Sequence, residues 1–452
     1  MLRSSFLAVR DRAPHLDAHF GKGGTQMRLS IQVTVAALGL TLSCGATALL
    51  AQPELILITD AAGPGGVSAQ DVTPDGLTVA GTSDGQAFRW TQSGGTQFLS
   101  PSDFLHTFDA SISDDGQVVA STVLHLGDNI TSAATWTEIG GWNYLGCLPG
   151  VIPTPEDPAQ CSTAFDLSGD AAVVVGLAWH GDTFRAEGFR WTGGTGMVGL
   201  GQPAGFSSRA SAVSADGTVS GGFYEDESSG QRRPVRWIGT GTPDLFIDPY
   251  TIGEVNSIST AGEWLTGSAL LLDSGGFPLP PWFYEKAFLF SDATGFQYVL
   301  PHVDYDLGTE QRAAGNGVAE NGMVVGWSGD MGPFGLVRAA IYCPGTERMV
   351  DLNQKLLDDG TIIPPNVWLG TALAVTPDGR TVVGQAIDFG TFNNIPFVVR
   401  FDADPCAGAI PSVIEIPTLD GLGFAALALA LAGAALVVLR RSATVAGGAD
   451  RR

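Results

Sequence analysis

The sequence predicts an all-β protein: a seven-bladed β-propeller of four-stranded blades, closed by an N-terminal strand and followed by a single C-terminal transmembrane helix. Three observations predict it. First, a polar turn ending in Gly recurs seven times, at Pro74-Asp75-Gly76, Asp114-Asp115-Gly116, Leu167-Ser168-Gly169, Ala215-Asp216-Gly217, Thr260-Ala261-Gly262, Glu320-Asn321-Gly322 and Pro377-Asp378-Gly379. Second, each turn is followed by a Val- and Gly-rich segment and then by an aromatic one. Third, the Gly positions advance by 40, 53, 48, 45, 60 and 57 residues. A period near 50 with strand-like content is the signature of one blade per repeat.

The unit reads most clearly at residues 67–100. Residues 67–72 form a first strand, and Pro74-Asp75-Gly76 turns it. Residues 77–83 form a second, Ala87-Phe88-Arg89-Trp90-Thr91 a third, and Gln97-Phe98-Leu99 a fourth. Asp-Gly and Gly-Gly between alternating segments are hairpin signals, because Gly accepts positive φ without strain. The third strand recurs as Ala134-Thr135-Trp136, Gly188-Phe189-Arg190-Trp191, Pro234-Val235-Arg236-Trp237, Ala287-Phe288-Leu289-Phe290, Ala339-Ala340-Ile341-Tyr342 and Pro396-Phe397-Val398-Val399-Arg400-Phe401. Phe88 and Trp90 share a face and Arg89 takes the other. Both faces of a blade pack on neighbours, so the repeated aromatics are expected to hold blades together rather than a ligand. The fourth strand recurs as Tyr144-Leu145, Met197-Val198, Leu245-Phe246-Ile247, Tyr298-Val299-Leu300 and Met349-Val350, and is missing after Phe401. A matching strand, Leu55-Ile56-Leu57-Ile58, stands alone before the first repeat, so it is expected to complete blade seven and remove the free edges.

The Asp-Gly turn, the Val-Val-Gly strand and the Ala-Phe-Arg-Trp strand resemble the bacterial extracellular HAF repeat, named for a His-Ala-Phe triplet. Here Gln86-Ala87-Phe88, Glu187-Gly188-Phe189 and Lys286-Ala287-Phe288 occupy the triplet. The resemblance covers about residues 55–401 and implies a fold and an extracellular location, but no reaction.

The two ends carry targeting text. Residues 1–26 are either an upstream leader or sequence preceding a true start at Met27. Residues 27–51 read as a signal peptide: Met27-Arg28, an apolar stretch at 29–42, then a small-residue cleavage zone. The propeller is assigned to 52–404 and a linker to 405–415. Residues 422–439 are uncharged, and 18 residues at about 1.5 Å each just span a bilayer. Arg440 and Arg441 would keep the tail, 442–452, on the cytoplasmic side. Before the span stand Ile416, Pro417, Thr418 and Leu419. This box, the span and the basic end, at 416–441, resemble the IPTL-type C-terminal sorting signal of Gram-negative bacteria. The resemblance implies recognition and cleavage by an exosortase-like membrane transpeptidase. It departs from the pattern at Asp420-Gly421-Leu422, where the family usually shows a Ser, and in residues 442–452, which run past the usual end.

The net charge is −23. Residues 52–416 are more acidic still, with 14 Lys and Arg against 42 Asp and Glu, a difference of −28. Such a surface repels phosphate backbones and argues against a nucleic-acid partner; it could attract a divalent cation or a basic partner. No cofactor is implied. Four Cys follow the signal segment: Cys147, Cys161, Cys343 and Cys406. None forms a C-x-x-C pair, so zinc and thioredoxin-type readings lack support, and an even number in an exported chain favours disulfides. Three connectivities exist; local pairing of Cys147 with Cys161 and of Cys343 with Cys406 is preferred.

Two catalytic motifs fail their context. Gly81-Thr82-Ser83-Asp84-Gly85 fits G-x-S-x-G but runs from strand to turn, not into a helix. Gly194-Thr195-Gly196-Met197-Val198-Gly199 fits G-x-G-x-x-G but lacks a helix N-terminus for a phosphate. His106, His125, His180 and His302 are too far apart in sequence to form a local metal pair. The most unusual loop is 275–284, where Phe277, Trp282, Phe283 and Tyr284 crowd a connection that ought to be polar. These aromatics either cover a blade end or bind a glycan or a surface protein. The expected function is therefore an exported, surface-sorted propeller acting as a non-catalytic binding or structural module. The alternative is a secreted polysaccharide hydrolase or lyase with its site at the propeller axis.

Overall fold

A computed structural model describes residues 52–99, 104–125, 130–150, 161–180, 185–202, 205–248, 250–278, 284–302, 311–330 and 336–407. Seven antiparallel sheets follow one another along the chain. Blade 1 is Val67–Val72, Thr78–Ser83, Gln86–Thr91 and Gly95–Phe98, each strand paired with the next. Blades 2, 3, 5 and 6 repeat this order from the first strands Phe104–Ile112, Ser162–Leu167, Thr251–Ile258 and Gln311–Val318. Blade 7 takes Val367–Val375, Thr381–Asp388 and Asn393–Arg400 from one end of the chain and Glu54–Leu57 from the other. Glu54 lies opposite Arg400 and Leu57 opposite Phe397.

Blade 4 departs from the expected four strands. Ser208–Val213, Val219–Glu225 and Arg232–Ile238 form its sheet, and the segment beyond adds only the bridge between Arg236 and Asp244. Leu245-Phe246-Ile247, read from sequence as a fourth strand, is not one. Pro243 precedes the bridge and has no N–H to donate to a ladder. The seven-residue helix Leu352–Asp358, between blades 6 and 7, was not foreseen. Asp351 caps it by accepting from the Asn353 backbone N–H.

The turns are more specific than Asp-Gly. In blades 1–4 and 7 a Ser or Thr donates to the Asp two residues on, at 2.6–2.7 Å: Thr73 to Asp75, Ser113 to Asp115, Ser168 to Asp170, Ser214 to Asp216 and Thr376 to Asp378. The same hydroxyls accept the N–H five residues on. This is the local side-chain bonding that favours turns over continued strand. It also corrects the third repeat. Its turn is Ser168-Gly169-Asp170-Ala171, two residues later than the Gly spacing implied. Ala171, at φ +56°, occupies the left-handed position that Gly holds in the other blades.

The Val-Gly strand has its own cause. A bulge in each first strand drives a carbonyl against the second strand. A Cβ on Gly81, Gly176, Gly222, Gly267, Gly326 or Gly384 would lie 1.9–2.1 Å from that carbonyl. Only Gly fits so close an approach.

Hydrophobic clusters occupy the junctions between blades. Ala69, Val79, Phe88 and Trp90 of blade 1 pack on Val383 and Val398 of blade 7. Val173 and Val175 of blade 3 pack on Val235 and Trp237 of blade 4. The repeated aromatics are thus inter-blade packing; Phe88, Phe189, Trp237, Phe288 and Phe397 are fully buried. The Arg between them reaches the next blade. Arg89 donates to the Gly116 carbonyl, Arg190 to Gly217 and, from blade 7, Arg400 to Gly76. Arg236 grips Asp292 of blade 5 with two hydrogen bonds of 3.0 and 2.8 Å. Cys147 is bonded to Cys161 and Cys343 to Cys406, with Cα separations of 4.9 and 5.4 Å.

Candidate functional site: the axial cavity

The first strands of all seven blades line one cavity of about 450 Å³. Each of these strands carries a register shift that lifts residues out of the ladder: Gln70, Asp109 with Ala110, Phe165, Ser211, Asn256, Asn316 and Leu373. A bulge re-aims a side chain, here toward the axis. Several of these side chains tie one blade to the next. Gln70 accepts from the Ala110 N–H, Asn256 donates to the Gly315 carbonyl and Asn316 to the Ala372 carbonyl. At the turn end, backbone bonds run from Asp114 to Gly169, from Gly169 to Ala215 and from Ala215 to Thr260.

Below the bulges, blades 1 to 4 are joined by two carboxylates and a hydroxyl. Asp71 accepts from its own blade at Val72 and from blade 2 at Ile112, both at 2.7 Å. Asp166 of blade 3 accepts from Leu167 and from Val213 of blade 4, both at 2.8 Å. Ser111 lies between them, its Oγ 3.0 Å from Asp71 Oδ2 and 2.7 Å from Asp166 Oδ1. Burial pushes Asp71 up to about 6, against the opposing hydrogen bonds. Burial, and then the charge of Asp71, push Asp166 up to about 7. Each keeps some surface open to the cavity, so water moderates both shifts.

At the other end of the first strands, Asp109 is exposed to the cavity. Crowding by the ring raises its pKa, and Arg209 opposes the rise. Arg209 is held in a fixed pose. Its Nε donates to Ser211 and its Nη2 to Glu254, and its plane lies over Phe165 and Phe223 at 4.7 and 5.1 Å. Such an Arg presents a rigid, oriented edge.

The residues singled out from sequence fall elsewhere. Phe277 is 70% exposed on a tight hairpin in which its N–H donates to Asp273. Tyr284 is half-buried under Arg312. Trp282 and Phe283 lie outside the described residues, as do Ile416, Pro417, Thr418, Leu419, Arg440, Arg441 and the segment 27–51. Ser83, the middle of the G-x-S-x-G match, is buried and donates to the Ala61 carbonyl. His180 contacts Glu187 at 2.9 Å, and His302 lies between Ser328 and Arg338. Among the described residues no three His, Cys, Asp or Glu side chains are placed to hold a metal ion, and no helix is long and apolar enough to cross a membrane.

Asp71, Ser111, Asp166, Asp109 and Arg209 were missed because they sit on four different repeats. One sequence signal is present: Gln70-Asp71, Ala110-Ser111, Phe165-Asp166 and Asn256-Ser257 stand a few residues before the turns of blades 1, 2, 3 and 5.

No family model matches the sequence, and no curated protein matches it. Among solved structures the chain is similar to oligogalacturonate lyase from Vibrio parahaemolyticus, at 11% identity and TM-score 0.49, covering 77% of this chain and 98% of that one. It is also similar to the β-propeller domain of the Trilobed protease from Pyrococcus furiosus, at 11% and 0.45, covering 73% and 93%. A third is TolB from Acinetobacter baumannii, at 11% and 0.37, covering 74% of this chain and 64% of that one. At these identities no activity or partner of theirs transfers to this chain.

Proposed function

We propose that this chain is an exported, surface-sorted β-propeller that acts as a non-catalytic binding or structural module, with the axial cavity as its ligand site. The observation that supports this reading most is the arrangement of the axial carboxylates. Asp71 and Asp166 accept backbone N–H groups from neighbouring blades and both lie within hydrogen-bond distance of the Ser111 hydroxyl, so they brace the ring. A cavity of about 450 Å³ falls within the range of small-ligand sites. Export, anchoring through residues 422–439 and cleavage near the Ile416-Pro417-Thr418-Leu419 box belong to the same proposal. So does the role of Glu54–Leu57 as the latch that closes the ring beside Asn393–Arg400. Phe277 and its loop are a candidate rim for a larger glycan or protein partner.

A second reading, a polysaccharide hydrolase or lyase, draws on one observation: Asp109 and Arg209 face the same cavity. One experiment separates the two. The purified protein is screened against a glycan array and, in parallel, for glycan turnover. Binding without turnover supports the module; turnover abolished by Asp109→Asn establishes the enzyme. Mass spectrometry of the surface-exposed form tests sorting, and an intact Arg452 there would rule out cleavage.

A further inference from the structure

The axial lining breaks its own repeat at one blade. In six blades the register shift facing the axis leaves one residue of the first strand unpaired. In blade 2 two residues, Asp109 and Ala110, stand against the single Ser121, between Phe108 opposite Thr122 and Ser111 opposite Ala120. The second strand follows suit. Val119-Ala120-Ser121 stands where blade 1 has Val79-Ala80-Gly81. The departure delivers a carboxylate to the cavity. Asp109 is exposed there, and its side-chain partner is the Gln70 amide at a long 3.4 Å.

The rest of the lining is rich in acceptors. The Nδ2 groups of Asn256 and Asn316 donate to the Gly315 and Ala372 carbonyls, which leaves each Oδ1 as an acceptor on the wall across the ring from blade 2. The Nε and Nη2 of Arg209 are taken by Ser211 and by Glu254, a carboxylate that Arg232 shares, so Arg209 is held by protein contacts while remaining, among the described residues, the one cation in the lining. Asp71 and Asp114 add acidic groups to the same lining, and Asp166 a carboxyl that holds its proton up to about pH 7. An anionic ligand would meet a surplus of acidic groups, and a neutral one would leave Asp109 desolvated with only the long Gln70 contact and the charge of Arg209 to offset it.

We propose that the axial cavity binds a small organic cation, an alkylammonium group that docks on Asp109 while the Oδ1 atoms of Asn256 and Asn316 accept a second donor from its far end. The inference rests on the binding reading above and gives it a ligand class. The ammonium can belong to a free diamine or to a lysine side chain of a partner; the chemistry recognised is the same.

The test is calorimetric titration of the purified protein at low salt with putrescine, Nα-acetyl-lysine methylamide, 1,4-butanediol and succinate. Saturable binding of putrescine is expected, with no binding of the diol or the diacid. Asp109→Asn should weaken it about tenfold or more, the usual effect of losing a charge-assisted bond. Asp109→Glu should retain it within a few-fold, and Asp358→Asn, on the exposed face of the short helix, should leave it unchanged. Tighter binding of the lysine derivative points to a protein partner, and tighter binding of putrescine to a free amine; either supports the cation site. Absence of binding by both amines, equal binding of succinate, or full affinity in Asp109→Asn overturns it. If a neutral glycan instead binds at the axis while the amines do not, the cation class falls and the binding reading stands.

Discussion

The shared hydroxyl of Ser111 sets up a test of the axial brace. A serine has one proton to donate, yet its Oγ lies within hydrogen-bond distance of two carboxylates. One of those contacts therefore needs a carboxyl proton. Asp166, raised to about 7, is the better holder, donating to Ser111, which donates to Asp71. Both folded values lie above the ordinary 3.8, so between about pH 4 and 7 the folded chain binds more protons than the unfolded one. Stability from this source is full below pH 4 and is lost as pH rises through the folded values. Shifts of roughly two and three units at about 1.4 kcal/mol each set a ceiling of several kcal/mol; with water in the cavity, about 2–3 kcal/mol is expected. His302, lowered by burial and by Arg338, works the other way as it titrates. The informative quantity is thus the difference between the native protein and Asp166→Asn, in which other groups cancel. Urea unfolding at pH 4 to 8 should show the native protein losing about 2–3 kcal/mol relative to the variant as pH rises. A flat difference, or one that grows with pH, would refute the shared proton.

Gly176→Ala places a Cβ 1.9 Å from the Thr163 carbonyl; a loss of about 3 kcal/mol or more is expected in urea unfolding. Ala171→Gly relieves a left-handed alanine at φ +56° and should raise stability by about 0.5–1 kcal/mol, the strain relieved less the entropy added to the unfolded chain. Replacing Cys343 and Cys406 together by Ser removes a link across 63 residues, with a chain-entropy effect of about 4 kcal/mol, readable as a lowered urea midpoint under oxidising conditions.

The repeat made the architecture readable because each blade solves the same local problem. A turn, a strand that must pass a bulged neighbour and an aromatic strand that packs the next blade all demand particular residue types, and so leave a periodic trace. That is why the inter-blade packing of Phe88, Phe189 and Phe288 is legible in the repeat. Where local chemistry departed from the period, the reading slipped. Ala171 holds the turn position without a Gly signature, and Leu245-Phe246-Ile247 carries the apolar pattern of a strand without forming one.

The sequence by itself determined the class of fold, the number of blades, the acidic character of residues 52–416 and the aromatic residues packed between neighbouring blades. Only the tertiary structure decided what stands at the axis. Gln70, Asp109, Phe165, Arg209, Asn256 and Asn316 come from six repeats and meet because the ring brings its first strands together, each turned inward by a bulge. Neighbours in a strand or turn constrain one another at short range, and that constraint is written in the spacing of residues. Groups that meet across a ring are separated by tens to hundreds of residues, differ in type from blade to blade and become a site only when the ring forms.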